Sequence, residues 1–167
     1  VLDQLQDGAT VGRPHIADAM VTLRIFDHRN KAFEGPLDKS ADFYVPSAGI
    51  PTVEAIKMVR AAGGVPVMAH PMARADKEIV ITDRHRMHFL ELIHAGLAGF
   101  EVNHREVGEV PRAWLMGLVD EFDLVYTGSS DYHGLTGKDN RLGENTTSLE
   151  MLKRIEAQAT GTFIRWA

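Results

Sequence analysis

From about Gly49 onward the chain alternates between helix-type and strand-type patterns, and this alternation restricts the fold more than any other feature. Short apolar runs, typical of buried strands, lie between longer segments whose apolar side chains recur at helical spacing. The predicted helices cover 51–62, 84–95, 111–122 and 149–159, and the predicted strands cover 65–69, 99–103 and 124–126. Because strands that alternate with helices pair through crossover connections, the sequence predicts an α/β fold with a parallel sheet.

Residues 1–48 follow a different pattern, and we expect them to form a helical insert or lid segment beside the α/β part in residues 49–167. An amphipathic helix is predicted to begin at Pro14 or His15, because proline is favoured in the first turn of a helix. Its expected apolar face consists of Ile16, Met20 and Leu23. A long polar connection is predicted at 27–42.

The composition excludes several classes of protein. The net charge of −5 argues against an extensive nucleic-acid surface, although it allows a local basic pocket for one phosphate. The chain has no cysteine, so any metal site must use histidine, carboxylate and water ligands. No apolar run has the length of a membrane span and no signal-peptide pattern is present, so we expect a cytoplasmic protein that does not bind membranes.

The segment GSSDYHG at 128–134 is the strongest candidate for chemistry. It follows the apolar run 124–126, and its Asp131 and His133 are two positions apart, so both side chains leave an extended backbone on the same side. A carboxylate beside an imidazole suits a divalent metal ion. The alternative is a polar loop that contains these two residues without a metal.

A second predicted strand, 65–69, ends directly on His70 and Pro71. Two strands therefore each deliver a ligand-type residue at the carboxyl edge of the sheet, where parallel α/β proteins place their active sites. His104 follows the strand 99–103 and is a further candidate at the same edge.

The segment GRPH at 12–15 places Arg13 and His15 at the start of a helix. A guanidinium fork and the free N–H groups of a helix N-terminus both suit phosphate oxygens. The alternative is that Arg13 is solvated and His15 is an ordinary polar residue of the first turn.

Four motifs together resemble the PHP (polymerase and histidinol phosphatase) family, and most closely its branch of nucleoside bisphosphate phosphatases and a related 5′-3′ exoribonuclease. The motifs are GRPHIA at 12–17, AAGGVPVMAHP at 61–71, GFEV at 99–102 and GSSDYHG at 128–134.

The resemblance implies the C-terminal part of a distorted (β/α)7 barrel with a small helical insert. It also implies up to three divalent metal ions (Mn²⁺, Zn²⁺ or Fe²⁺), with His70, Asp131 and His133 as ligands. Arg13 and His15 would then contact the substrate phosphate.

The family's other ligands, an HxH pair, a second Asp/His motif and a bridging glutamate, precede the insert and are not found in these 167 residues. The chain also begins at Val1 within a helix-like pattern, so we expect it to be a fragment of a longer protein, with little activity alone.

The function implied by the resemblance is metal-dependent hydrolysis of phosphomonoesters in nucleotides or short RNA by an activated water. The partner would be a small phosphorylated substrate, such as a nucleotide or an RNA end. Two alternatives remain: an amidohydrolase-like metal hydrolase, against which a phosphate-facing Arg13 argues, and a non-catalytic PHP-like structural or regulatory module. Retention of His70, Asp131 and His133 together argues against the second alternative.

Overall fold

The computed structural model of the protein describes residues 11–46, 49–73, 75, 79–132 and 139–161. Its internal contacts divide the chain into two compact units, Val1–Gly49 and Ile50–Ala167. Within the described ranges, no helix combines the length and the apolar character that crossing a membrane requires.

The first unit contains helices α1 (Arg13–Thr22) and α2 (Arg29–Glu34). Helix α1 begins at Arg13, one residue before the predicted Pro14. Its buried residues are Ala17 and Ala19, and Leu23 of the expected apolar face is 71% exposed. Helix α2 lies inside the segment 27–42 that the sequence predicted as a long polar connection, and no separate helix was predicted there.

The second unit confirms the predicted alternation of helices and strands. Its elements are α3 (Thr52–Ala61), β1 (Val67–Met68), α4 (Asp83–His94), β2 (Gly99–Asn103), α5 (Glu109–Glu121), β3 (Val125–Gly128) and α6 (Leu149–Gln158). The three strands form one parallel sheet in the order β1-β2-β3. The predicted α/β class with a parallel sheet is thus confirmed, whereas a closed (β/α)7 barrel is not seen in the described part of the chain.

Hydrophobic side chains cover both faces of this sheet. Phe100 and Val102 of β2 pack into the larger cluster, which also contains buried side chains of α3, α4 and α5. Val125 of β3 packs with Met151 of α6 in a second cluster. Since alternate residues of a strand face opposite sides of a sheet, the two clusters lie on opposite faces, and the strand ends are left for polar residues.

Two glycines allow the close approach of backbone around β3. A Cβ atom at Gly99 would lie 2.0 Å from the carbonyl oxygen of Val125, so only glycine fits at this β2–β3 contact. At the carboxyl end of β3, a Cβ at Gly128 would lie 2.6 Å from the carbonyl oxygen of Thr146. The Thr147 hydroxyl accepts a hydrogen bond from the Gly128 N–H and donates one to the Gly128 carbonyl, both at 3.1 Å. These contacts fix the point from which the GSSDYHG segment leaves the sheet.

Candidate functional site

Three neighbouring parallel strands each end in a polar residue at the carboxyl edge of the sheet. His70 follows β1, His104 directly follows β2, and Asp131 lies three residues beyond β3. The imidazole rings of His70 and His104 are 4.8 Å apart between centroids. Nε2 of His104 lies 4.0 Å from Oδ2 of Asp131. His104 therefore lies between the two residues that the sequence singled out as metal ligands.

His70 is held in an unusual backbone conformation. Its φ is +29°, in the region that side-chain-bearing residues rarely adopt, and Met72 in the same turn has φ +60°. The His70 N–H donates a 2.8 Å hydrogen bond to Oε2 of Glu101, on the neighbouring strand β2. Glu101 is only 8% exposed. A buried carboxylate thus fixes the turn that carries the histidine.

Asp131 also lies in the left-handed region, with φ +49°, which aspartate tolerates better than most residues. Its N–H donates a 3.1 Å hydrogen bond to Oγ of Ser129. The carbonyl of Ser130 accepts a 2.6 Å hydrogen bond from Nδ2 of the buried Asn140, whose Oδ1 accepts from Nη1 of Arg105 at 2.9 Å. The loop is therefore anchored on the N-terminal side of Asp131, whose side chain is 25% exposed.

The described residues fit part of a divalent-metal site. His70 after β1 and Asp131 after β3, on either side of β2, offer an imidazole and a carboxylate, the donor types that Mn²⁺, Zn²⁺ and Fe²⁺ use when no thiolate is available. In the described ranges, no group of three or more histidine and carboxylate side chains is arranged to hold an ion. His133, the third ligand in the sequence prediction, lies outside the described residues. Metal ligation by His70, Asp131 and His133 therefore stays a prediction.

A groove of about 590 Å³ opens beside Asp131. Its described lining is neutral apart from this carboxylate and consists mainly of hydroxyl, amide and glycine residues of the segments 128–132 and 142–147. Tyr132 and the exposed Leu142 add apolar surface. This lining offers several hydrogen-bonding groups and one aromatic side chain.

Arg13 and His15 lie in the first unit, at the start of α1. The Arg13 guanidinium donates a hydrogen bond to the Leu37 carbonyl and lies 5.2 Å from the centre of the Phe33 ring. Nδ1 of His15 accepts a 2.9 Å hydrogen bond from the N–H of Gly12, so in the neutral ring the proton is on Nε2. Contact of either residue with a phosphate stays a prediction.

The sequence prediction missed the role of Glu101. The sequence placed Glu101 in a predicted strand but gave it no role. The feature that could have revealed this role is a charged side chain in the middle of the strand GFEVN, whose first four residues are buried. A carboxylate at such a position is almost never buried without a partner. That partner, the His70 N–H, is 31 residues away in the chain, so only the fold reveals it.

No family model matches the chain. Over 90 residues it is 32% identical to a phosphoribosyl 1,2-cyclic phosphate 1,2-diphosphodiesterase from Eggerthella lenta, which corresponds to 54% of this chain and 31% of that protein. The crystal structure of a protein assigned as a metal-dependent phosphoesterase, from Bifidobacterium adolescentis, matches with a TM-score of 0.82 at 35% identity. That match covers 95% of this chain and 55% of the other.

An amidohydrolase from Chromobacterium violaceum, whose structure contains sulfate and no metal, matches with a TM-score of 0.66 at 22% identity. The match covers 89% of this chain and 51% of that protein, and at this identity it shows a shared fold alone. The chain spans 31% to 55% of the length of these three proteins. The first two likenesses support the PHP-like relationship that the four sequence motifs indicated.

Proposed function

We propose that the chain is part of a metal-dependent phosphoesterase. The observation that carries this proposal is the placement of His70 and Asp131 at the ends of parallel strands in one sheet, joined through the buried His104. The likeness to the Bifidobacterium protein, which extends over 95% of the chain, supports the proposal.

His70 and Asp131 would hold a divalent ion, together with His133. When bound, such an ion supplies a water of lowered pKa and neutralises charge on the phosphoryl oxygens. The contribution of the chain itself is positional: the Glu101 carboxylate holds the His70 turn, and Asn140 holds the loop of Asp131. Preorganised groups of this kind need no rearrangement during the reaction.

The substrate in this proposal is a small phosphorylated molecule, a nucleotide or an RNA end. Contact of Arg13 and His15 with its phosphate is a separate prediction, which variants of Arg13 test. The neutral groove beside Asp131 would accept the uncharged sugar or nucleoside portion, with Tyr132 against its flat face. Because one relative is a cyclic-phosphate diphosphodiesterase, cyclic phosphodiesters belong in the tested set.

The test is a turnover assay of the complete gene product with Mn²⁺, Zn²⁺ or Fe²⁺, using a nucleoside monophosphate, a cyclic nucleotide and a short 5′-phosphorylated RNA. We expect metal-dependent release of phosphate or ring opening, and a loss of at least about 100-fold in His70→Ala and Asp131→Asn, as for other groups central to catalysis. His94→Ala is the matched control, since His94 is an exposed histidine at the end of α4.

Hydrolysis of amides in place of phosphoesters would favour the amidohydrolase-like alternative. Absence of turnover in the presence of each metal, with tight binding of a phosphorylated ligand, would favour a non-catalytic module.

Tyr132→Ala should raise KM for the nucleotide more than for phenyl phosphate if the groove receives the nucleoside.

A further inference from the structure

The His104 side chain has one ring nitrogen without a partner. The residue is 0% exposed, yet Nε2 makes no hydrogen bond within the described part of the chain. Buried polar atoms in folded proteins almost always have a partner, so each exception calls for an explanation. The nearest carboxylate oxygen recorded for this nitrogen is Oδ2 of Asp131, at 4.0 Å.

The other ring nitrogen fixes which tautomer is present. Nδ1 of His104 accepts a hydrogen bond from the N–H of Glu106 at 3.2 Å. A neutral imidazole has one acceptor and one donor nitrogen, so the proton is on Nε2. Nε2 is therefore an N–H donor that lies 4.0 Å from the Asp131 carboxylate, and it has no lone pair to offer a metal ion in this state.

Both the backbone and the ring of His104 have packing or hydrogen-bond partners. The carbonyl of His104 accepts hydrogen bonds from the N–H of Val107 at 3.1 Å and from Nη2 of Arg112 at 3.1 Å. The ring also packs against His70, with an angle of 37° between the ring planes. Asp131, by contrast, belongs to a loop and is partly exposed. A hydrogen bond between Nε2 and Oδ2 of Asp131 requires this 4.0 Å separation to shorten to about 3 Å.

We infer that His104 is the positioning residue of Asp131: its Nε2–H holds one carboxylate oxygen, which leaves the other directed at the bound cation. This inference rests on the proposed function, because it assumes that Asp131 ligates a divalent ion. Metal-ligating carboxylates are commonly held by hydrogen bonds from a surrounding group, and loss of such a group weakens metal binding about 10- to 100-fold.

Two variants of His104 separate the two ring nitrogens. In His104→Gln the side-chain amide nitrogen can occupy the place of Nε2 and donate to Asp131. In His104→Asn the shorter side chain can accept from the Glu106 N–H but does not reach Asp131. Both replace a buried aromatic ring by an amide, so they share the packing defect and differ in the donor.

The first measurement is the Mn²⁺ affinity of the complete gene product by calorimetric titration, beside the melting temperature of the metal-free protein. We expect a loss of about 10-fold or more in His104→Asn and a loss of less than about 3-fold in His104→Gln, at similar melting temperatures. Equal affinities in the wild type and both variants would overturn the inference, as would losses that follow the melting temperature alone.

The second measurement is the ¹⁵N chemical shift of the His104 ring nitrogens with and without Zn²⁺, which is diamagnetic. We expect a protonated Nε2 in both states. A shift showing that Zn²⁺ binds Nε2 would make His104 a ligand and would overturn the positioning role.

Failure of this inference can be distinguished from failure of the proposed function. If the wild type binds neither Mn²⁺ nor Zn²⁺ and Asp131→Asn changes nothing, the proposed function itself fails. Metal binding that depends on Asp131 but not on His104 refutes this inference alone.

Discussion

The backbone N–H of His70 donates a 2.8 Å hydrogen bond to Oε2 of Glu101, and this bond joins the turn after β1 to the middle of β2. His70 adopts φ +29°, a conformation that costs on the order of 1–3 kcal/mol in a residue with a side chain. The hydrogen bond to a buried carboxylate offsets part of this cost. A residue outside the predicted ligand set thus determines where a predicted ligand lies.

The first prediction tests this bond. Glu101→Leu leaves the His70 N–H without its acceptor and should lower the free energy of unfolding by about 1–3 kcal/mol. It should also weaken metal binding, since the His70 turn can relax. Glu101→Gln keeps an amide oxygen as acceptor and serves as the matched control. Urea denaturation of the two variants measures the difference, and equal unfolding free energies would contradict the anchoring role of this carboxylate.

The second prediction compares two glycines. Gly128→Ala introduces a Cβ 2.6 Å from the Thr146 carbonyl oxygen and 2.8 Å from Cβ of Asn103, so the backbone must shift. We expect a loss of about 1–3 kcal/mol in unfolding free energy, typical of overpacking. Gly117→Ala, in the exposed part of α5, meets no atom within 4 Å and should stabilise the protein by up to about 1 kcal/mol through helix propensity.

Because Gly128 ends the strand that leads to Asp131, the same shift should displace the predicted ligand. Gly128→Ala is therefore expected to weaken Mn²⁺ binding, whereas Gly117→Ala leaves it unchanged. Unaltered Mn²⁺ affinity in Gly128→Ala would show that the position of Asp131 does not depend on the end of β3.

The third prediction concerns Arg13. Its contacts with the Leu37 carbonyl and the Phe33 ring are at an exposed site, where a cation–π contact contributes about 0.5–1 kcal/mol. Arg13→Ala should therefore lower the melting temperature only slightly but reduce kcat/KM for phosphorylated substrates in the complete gene product. Arg13→Lys keeps the charge and loses the guanidinium fork, so it should recover part of the activity. A large drop in melting temperature with normal kinetics would instead show that Arg13 is structural.

Much of the second unit could be predicted from the sequence because its signals are local. The strand 99–103 was predicted with the bounds that the structure shows, since a glycine precedes an apolar run and polar residues follow it. Ser148 directly precedes the predicted helix 149–159, and its Oγ accepts a 3.2 Å hydrogen bond from the N–H of Met151. Such features depend on residues within a few positions of one another.

What the sequence could not provide depends on contacts between distant residues. Helix α2 has six residues, too few to show an apolar period, and the Asp18–Arg29 ion pair ties it to α1 at 2.5 Å. The burial of small alanines in α1 in place of larger apolar side chains is likewise a result of packing. The place of His104 between His70 and Asp131 follows from the order of the strands in the sheet, which periodicity alone does not determine.

The last prediction concerns the number of ions that the 167-residue chain holds by itself. The predicted ligands His70, Asp131 and His133 include one carboxylate, and one carboxylate cannot offset the repulsion between two adjacent dications. We therefore expect at most one Mn²⁺ per chain, weakly bound, and little or no phosphatase activity. Asp131→Asn should abolish this binding because it removes the only negative charge among the three. Asp120→Asn, at an exposed position of α5, is the matched control. Counting bound Mn²⁺ by electron paramagnetic resonance decides the question: two or more tightly bound ions per chain, or robust turnover, would contradict the prediction.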